Sequence, residues 1–133
     1  MAIDDYVYLT VAEAVKFHVL YMRKVGETRF GVFDKTLVES ALSRPKQAAT
    51  YENADLIRQS ATLLLGLIKN HPWEGGNKRT ATFLTWLFLK RNGYKIVAQT
   101  SEIIELCLKI EADAWKIDEI ENWLRSKVKK VID

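Results

Sequence analysis

Nine consecutive positions, His71 to Arg79 in "HPWEGGNKR", hold a histidine, a carboxylate, two adjacent glycines, an asparagine, a lysine and an arginine. The chain has only two histidines, and one of them stands here. Apolar stretches flank the segment on both sides. They predict a loop between two helices, with Asn77, Lys78 and Arg79 where the second helix begins. The first turn of a helix carries backbone N–H groups without intrahelical partners, together with the positive end of the helix dipole. Gly75 and Gly76 permit close backbone approach and unusual dihedrals, and Lys78 and Arg79 add positive charge. Such a site suits an anion, most simply a phosphate chain. Histidine is the side chain that titrates nearest neutrality, the property a general base needs, and His71 is placed to reach the same anion. The combination indicates phosphoryl or nucleotidyl transfer. Spacing alone also admits a plain Gly-Gly-Asn turn whose lysine and arginine lie in solvent. Trp73 is expected in the core under both readings, anchoring the loop between the helices. His18, beside the apolar stripe of an earlier helix, is expected to be packed or half-exposed, not catalytic.

The elements that position this loop follow from periodicity and capping. Thr10 and Glu13 have capping-box spacing, and Val11, Ala14, Val15, Val19 and Met22 then recur at helical intervals to about Lys24. Asp34 is placed to cap a helix carrying Leu37, Val38, Ala41 and Leu42, expected to stop near Arg44 because Pro45 follows. Asn53 or Asp55 starts a helix with the stripe Leu56, Ile57, Ala61, Leu64, Leu65 and Ile68. After the loop comes a helix bearing Ala81, Phe83, Leu84, Leu87 and Phe88, closed by "RNGY" with Gly93 as the left-handed residue. "YKIVAQ" is short and can be extended. Thr100 or Ser101 then caps a helix with Ile103, Ile104, Cys107 and Ile110. A second box, Asp118 with Glu121, opens a last helix carrying Ile120, Trp123, Leu124, Val128 and Val131, its end solvated by Lys127, Lys129 and Lys130. The expected fold class is all-α, roughly six helices in one domain over 1–133.

Composition narrows the function classes. The 133 residues are 48% hydrophobic and 28% charged, the balance of a soluble globular chain. A net charge of +3 and scattered basic residues make nucleic acid an unlikely partner. Cys107 stands alone, which excludes an internal disulfide and suits a reducing compartment. Two histidines and one cysteine cannot supply the usual four-ligand zinc site. No apolar run reaches membrane-span length and "MAIDDYVYLT" lacks signal-peptide character, so the expected location is the cytoplasm.

"HPWEGGNKRTA" resembles the signature of the Fic/Doc superfamily, His-x-Phe-x-Asp/Glu-x-Asn-x-Arg. The lysine after the asparagine and "TA" after the arginine resemble its Doc (death-on-curing) branch. "GVFDKTLVESALSRP" and "FLKRNGY" are similar to further segments of that branch, so the likeness spans about residues 8 to 98. The resemblance implies a compact Fic-like helical domain and a toxin of a toxin–antitoxin pair. It implies His71 as the residue that takes a proton from a hydroxyl of the target protein. Gly76, Asn77, Lys78 and Arg79 correspond to the part that holds nucleotide phosphates, and Trp73 replaces the motif phenylalanine. AMP-transferring Fic proteins have glycine where Lys78 stands and a second arginine where this chain has Thr82. The Doc-like pattern therefore implies ATP as substrate, with its γ-phosphate transferred to a threonine of elongation factor Tu and translation arrested. Phosphoryl transfer of this kind needs positioning and charge neutralisation above all.

The chain departs from the pattern at one position. The family's acidic residue, which holds Mg2+ on the phosphates, corresponds to Gly75, and Glu74 is the nearest carboxylate and the candidate metal ligand. Transfer of AMP and a catalytically inactive module that binds antitoxin or nucleotide are the alternatives. The inhibitory Ser/Thr-x-x-x-Glu-Gly/Asn segment of some Fic proteins is absent, so the resemblance implies inhibition by a separate Phd-like antitoxin. Its disordered C-terminal segment is expected to fold onto a face bearing Phe17, Tyr21 and Phe30.

Overall fold

The computed structural model describes residues 6–131. Among them are six helices: α1 (Val11–Lys24), α2 (Lys35–Glu52), α3 (Leu56–Asn70), α4 (Asn77–Arg91), α5 (Thr100–Glu111) and α6 (Ile117–Lys127). Two three-residue strands, β1 (Tyr94–Ile96) and β2 (Val128–Lys130), pair antiparallel with Tyr94 opposite Lys130 and Ile96 opposite Val128. The all-α expectation holds. No helix among the described residues is long and apolar enough to cross a membrane.

Helix α3 is the central element. Leu63, Leu67 and Ile68 on it are fully buried, as are Leu84 and Phe88 of α4, Ile110 of α5 and Ile120 and Leu124 of α6. Burying such a side chain contributes about 1.5–3 kcal/mol, so this seam holds α2, α4, α5 and α6 on α3. The helix starts are set locally. Thr10 and Glu13 form the expected capping box, Asp34 accepts from Thr36 N–H, and Asp55 accepts from Arg58 N–H. Asn53 has a different part: it sits at φ 54° and ends α2.

Four expectations are corrected. Helix α2 does not stop at Arg44 but runs through Pro45 to Glu52. An interior proline costs about 3 kcal/mol, and the buried face of Val38, Ala41, Pro45, Ala48 and Ala49 against α3 offsets it. The last helix ends at Lys127, and Val128 enters β2. A valine spaced four residues from Leu124 satisfies a helix stripe and a strand equally, and pairing with β1 decides. Lys129 and Lys130 thus lie on a strand, while Lys127 Nζ donates to Glu102 at 2.6 Å. Helix α6 opens with Glu119 reaching back to Lys116 N–H, not with Asp118 and Glu121, which instead bind Arg58. Helix α5 starts after Gln99, whose N–H is bound by Glu102, so Thr100 and Ser101 lie inside it.

Candidate functional site

Helix α3 ends at Asn70, where the amide donates to the Leu37 carbonyl at 3.0 Å. His71 follows in the left-handed region, φ 48° and ψ 55°, a conformation that costs a residue with a Cβ roughly 1 kcal/mol. Pro72 cannot extend the helix, and Trp73 turns into the core, 2% exposed. Asn77 then clasps the loop. Its Oδ1 accepts from Trp73 N–H and its Nδ2 donates to the Trp73 carbonyl, both at 3.0 Å. The side chain of Asn77 is therefore committed to loop closure, which leaves its backbone at the start of α4.

The two glycines answer different demands. Gly76 is the residue before α4 and stands at φ 67°, where a Cβ would collide with the Met22 sulfur. Gly75 has ordinary dihedrals, but a Cβ there would run into the backbone carbonyl of Arg29. That carbonyl belongs to the segment between α1 and α2, which forms a second wall. Phe33 N–H donates to Pro72, Glu74 N–H donates to Gly31 at 2.8 Å, and Val32 bridges Trp73.

His18 ties the two walls together. Its ring is wholly buried and stacks on Trp73 with centroids 4.2 Å apart. Its Nε2 accepts from Gly31 N–H at 3.0 Å, so Nδ1 carries the proton and donates to Thr80 Oγ1 at 2.7 Å. Burial pushes its pKa down to about 4, and the ring is neutral near pH 7. The sequence reading of a packed histidine holds, and the structure adds a function as a strut beneath the loop.

Helix α4 begins without a cap. Gly76 offers no side chain, and no acidic residue stands in the first turn. Helices α1, α2 and α3 have an N-cap side chain on a first-turn N–H, whereas in α5 and α6 the N3 glutamate binds the N–H of the N-cap residue itself. The start of α4 thus keeps first-turn donors open to a ligand, beside Lys78 and Arg79. Around it the charges are paired with carboxylates from distant segments. Lys78 Nζ lies 3.1 and 3.3 Å from the two oxygens of Glu111, the last residue of α5. The same Oε2 is 3.6 Å from His71 Nε2. Arg79 reaches Glu27 at 3.0 Å. His71, Lys78 and Arg79 are all at least partly exposed.

Sequence reasoning missed Glu111 and Glu27, because neither lies in the motif. One signal for Glu111 was present: an acid at a helix C-terminus opposes the dipole and invites a reason. Lys78 and Arg79 also line an open, mainly apolar cavity of about 540 Å3 with Tyr21, Phe83, Trp86 and Ile104. On the face expected to expose Phe17, Tyr21 and Phe30, all three side chains are half-buried. Tyr21 stacks on Phe83 at 4.7 Å, Phe17 meets Phe83 edge-on, and Phe30 meets His18 edge-on.

Magnesium does not fit the motif position. Gly75 has no ligand atom, and the Arg29 carbonyl fills the space a side chain would need. Glu74 is exposed and anchored only through its backbone, and no group of three His, Cys, Asp or Glu side chains able to hold a metal occurs among the described residues.

Comparison with known proteins gives a consistent result. Residues 8–89 match the family model of the Fic/DOC family. The chain is 29% identical over 119 residues to the protein kinase doc of Escherichia phage P1, covering 89% of this chain and 93% of that protein. It is 38% identical over 81 residues to the toxin Doc of Mycolicibacterium smegmatis, covering 55% of this chain and 61% of that one.

Proposed function

The chain belongs to the Fic/DOC family, and from that premise we propose that it is a Doc-like toxin kinase of a type II toxin–antitoxin pair. In this reading it transfers the γ-phosphate of ATP to a threonine of elongation factor Tu and arrests translation in the bacterial cytoplasm. The observation that carries the reading is the convergence of His71, Lys78 and Arg79 on the uncapped start of α4. The free N–H groups of that first turn, with Lys78 and Arg79, neutralise the phosphate chain. The threonine oxygen forms the new bond to phosphorus, the bond to the bridging oxygen breaks, and ADP leaves. The hydroxyl proton passes to His71. Thr82 supports γ-transfer over AMP transfer: its hydroxyl donates to the Lys78 carbonyl at 2.9 Å and adds no second cation. A Phd-like antitoxin is the proposed inhibitor.

One observation favours a second reading. Position 75 is closed to the metal-binding acid, which suits a module that binds nucleotide and antitoxin without turnover. Incubation with elongation factor Tu and ATP labelled at the α- or γ-phosphate, with and without Mg2+, separates these. Transfer of γ-label is the expected result. Transfer of α-label would establish the AMP-transferring chemistry, and binding of ATP without transfer would establish the inactive module.

A further inference from the structure

Among the described residues, the carboxylate of Glu111 is the acidic side chain placed between His71 and Lys78, two of the residues on which the proposed reaction depends. Both of its oxygens accept from Lys78 Nζ, and one of them stands 3.6 Å from His71 Nε2. Its backbone is held as well: Lys69 Nζ donates to the Glu111 carbonyl at 3.3 Å and pairs with Asp113 at 2.7 Å. Lys69 lies two residues before His71 on α3, so the end of α5 is fastened to the end of the helix that presents the histidine.

Placement at the last position of α5 works against the helix dipole, which favours acids at the opposite end. Glu13, Glu102 and Glu119 all occupy that opposite end, on the first turns of α1, α5 and α6. Glu111 gains instead from the cations around it. Its contact with Lys78 is also of the exchangeable kind. Both side chains are more than a third exposed, so water screens the pair, and lysine is a compact charge on a flexible stem. A phosphate chain carries several negative charges against one, and the uncapped start of α4 adds to its attraction for Lys78.

We infer that Glu111 is the positioning acid of this site: it holds Lys78 beside His71 until a phosphate chain draws Lys78 away, and it then faces His71 alone. The carboxylate is in that arrangement opposite the imidazolium that forms as His71 takes the hydroxyl proton, much as an orienting acid serves a catalytic histidine. Within the loop, position 75 admits no side chain and Glu74 is exposed with no bond to His71 or Lys78 among the described residues. The inference rests on the nucleotide reading given above.

Calorimetric titration of ATP, and separately of inorganic pyrophosphate, into the full chain and the variants E111Q, K78M and E111Q/K78M tests it. Freeing Lys78 is expected to tighten both ligands in E111Q by about two- to fivefold, the range of a screened ion pair, with no gain in the K78M background. Where turnover is measured, E111Q lowers KM for ATP and kcat together, and E111D restores part of kcat. A purely structural surface bridge would move neither constant in this way. Unchanged or weaker binding by E111Q, or an equal gain without Lys78, overturns the inference. If pyrophosphate shows the pattern while ATP binds to no variant, the nucleotide reading fails and the Glu111 exchange stands. If neither ligand binds to any variant, both fall.

Discussion

The two ends of α3 handle charge in opposite ways. At its start Asp55 caps the helix and is gripped by Arg125, while Arg58 binds Glu52, Asp118 and Glu121. Arginine forks fix several carboxylates at once: bonds to Asp118 and Glu121 hold Arg58 firmly protonated, and the Arg58 N–H and the Arg125 guanidinium keep Asp55 below its usual range despite its burial. At its end Lys69 and Lys78 share Asp113 and Glu111, with the His71 ring beside Glu111. One end has redundant partners and a geometric lock. The other has one carboxylate for each lysine, and its point-like ammonium groups rearrange at small cost. The same kinds of residue serve the fold at one end and, in the proposed function, a ligand at the other, and arginine against lysine is the readable difference.

Substitutions can break this contrast. Replacing His71 with glycine removes the proposed base and is expected to lower the transfer rate by at least about 10²-fold. The same change relieves the left-handed strain, so thermal melting should show stability held or raised by up to about 1 kcal/mol. A fall in both would place His71 with the structural end. Protonation of His18 sets a pH limit on the strut under the loop. Its folded pKa of about 4 lies below the ordinary histidine value of 6.5, so the contribution is complete above pH 6.5 and is lost as pH falls toward 4. The loss amounts to about 3 kcal/mol in all. Denaturant titrations across that range should show it, and His18→Gln should flatten the profile.

Smaller effects sharpen the comparison. Gly75→Asp restores the family acid on paper, yet the collision with Arg29 should lower stability by about 2 kcal/mol in chemical denaturation without raising the transfer rate. Lys78→Met is expected to weaken ATP binding about tenfold, roughly 1.4 kcal/mol, with an unchanged melting temperature. Arg58→Met should do the reverse, costing about 1 kcal/mol of stability while leaving ATP affinity as it was. Equal effects of both lysine and arginine changes on binding would erase the distinction between the two ends.

Much of the architecture was legible because it is written locally. Thr10 with Glu13, Asp34, Asp55 and Gly93 each announce a boundary through bonds within a few residues of themselves. The loop was legible for the same reason, since His71 through Arg79 are contiguous. What escaped depends on distant packing. Pro45 reads as a stop, and only the burial of Ala48 and Ala49 against α3 carries α2 past it. Val128 fits two periodicities, and β1, more than thirty residues earlier, chooses between them. Glu27 and Glu111 come from the flanking segments, so nothing near the motif marks them. The reason for Gly75 was hidden too, because a glycine in a loop reads as freedom when here it is a lack of room.

The carbonyl of Arg29 above Gly75 has a consequence for the history of such a chain. Every glycine codon lies one base from a codon for aspartate or glutamate, so at the level of the gene the path to an acid is a single step. At the level of the folded protein it is not. The segment from Glu27 to Gly31 is bound through Gly31 to Glu74 and to His18, and it must withdraw before any side chain can enter. Reversion of one codon would be selected against until the neighbouring loop had changed, a ratchet set in the order in which mutations can be tolerated.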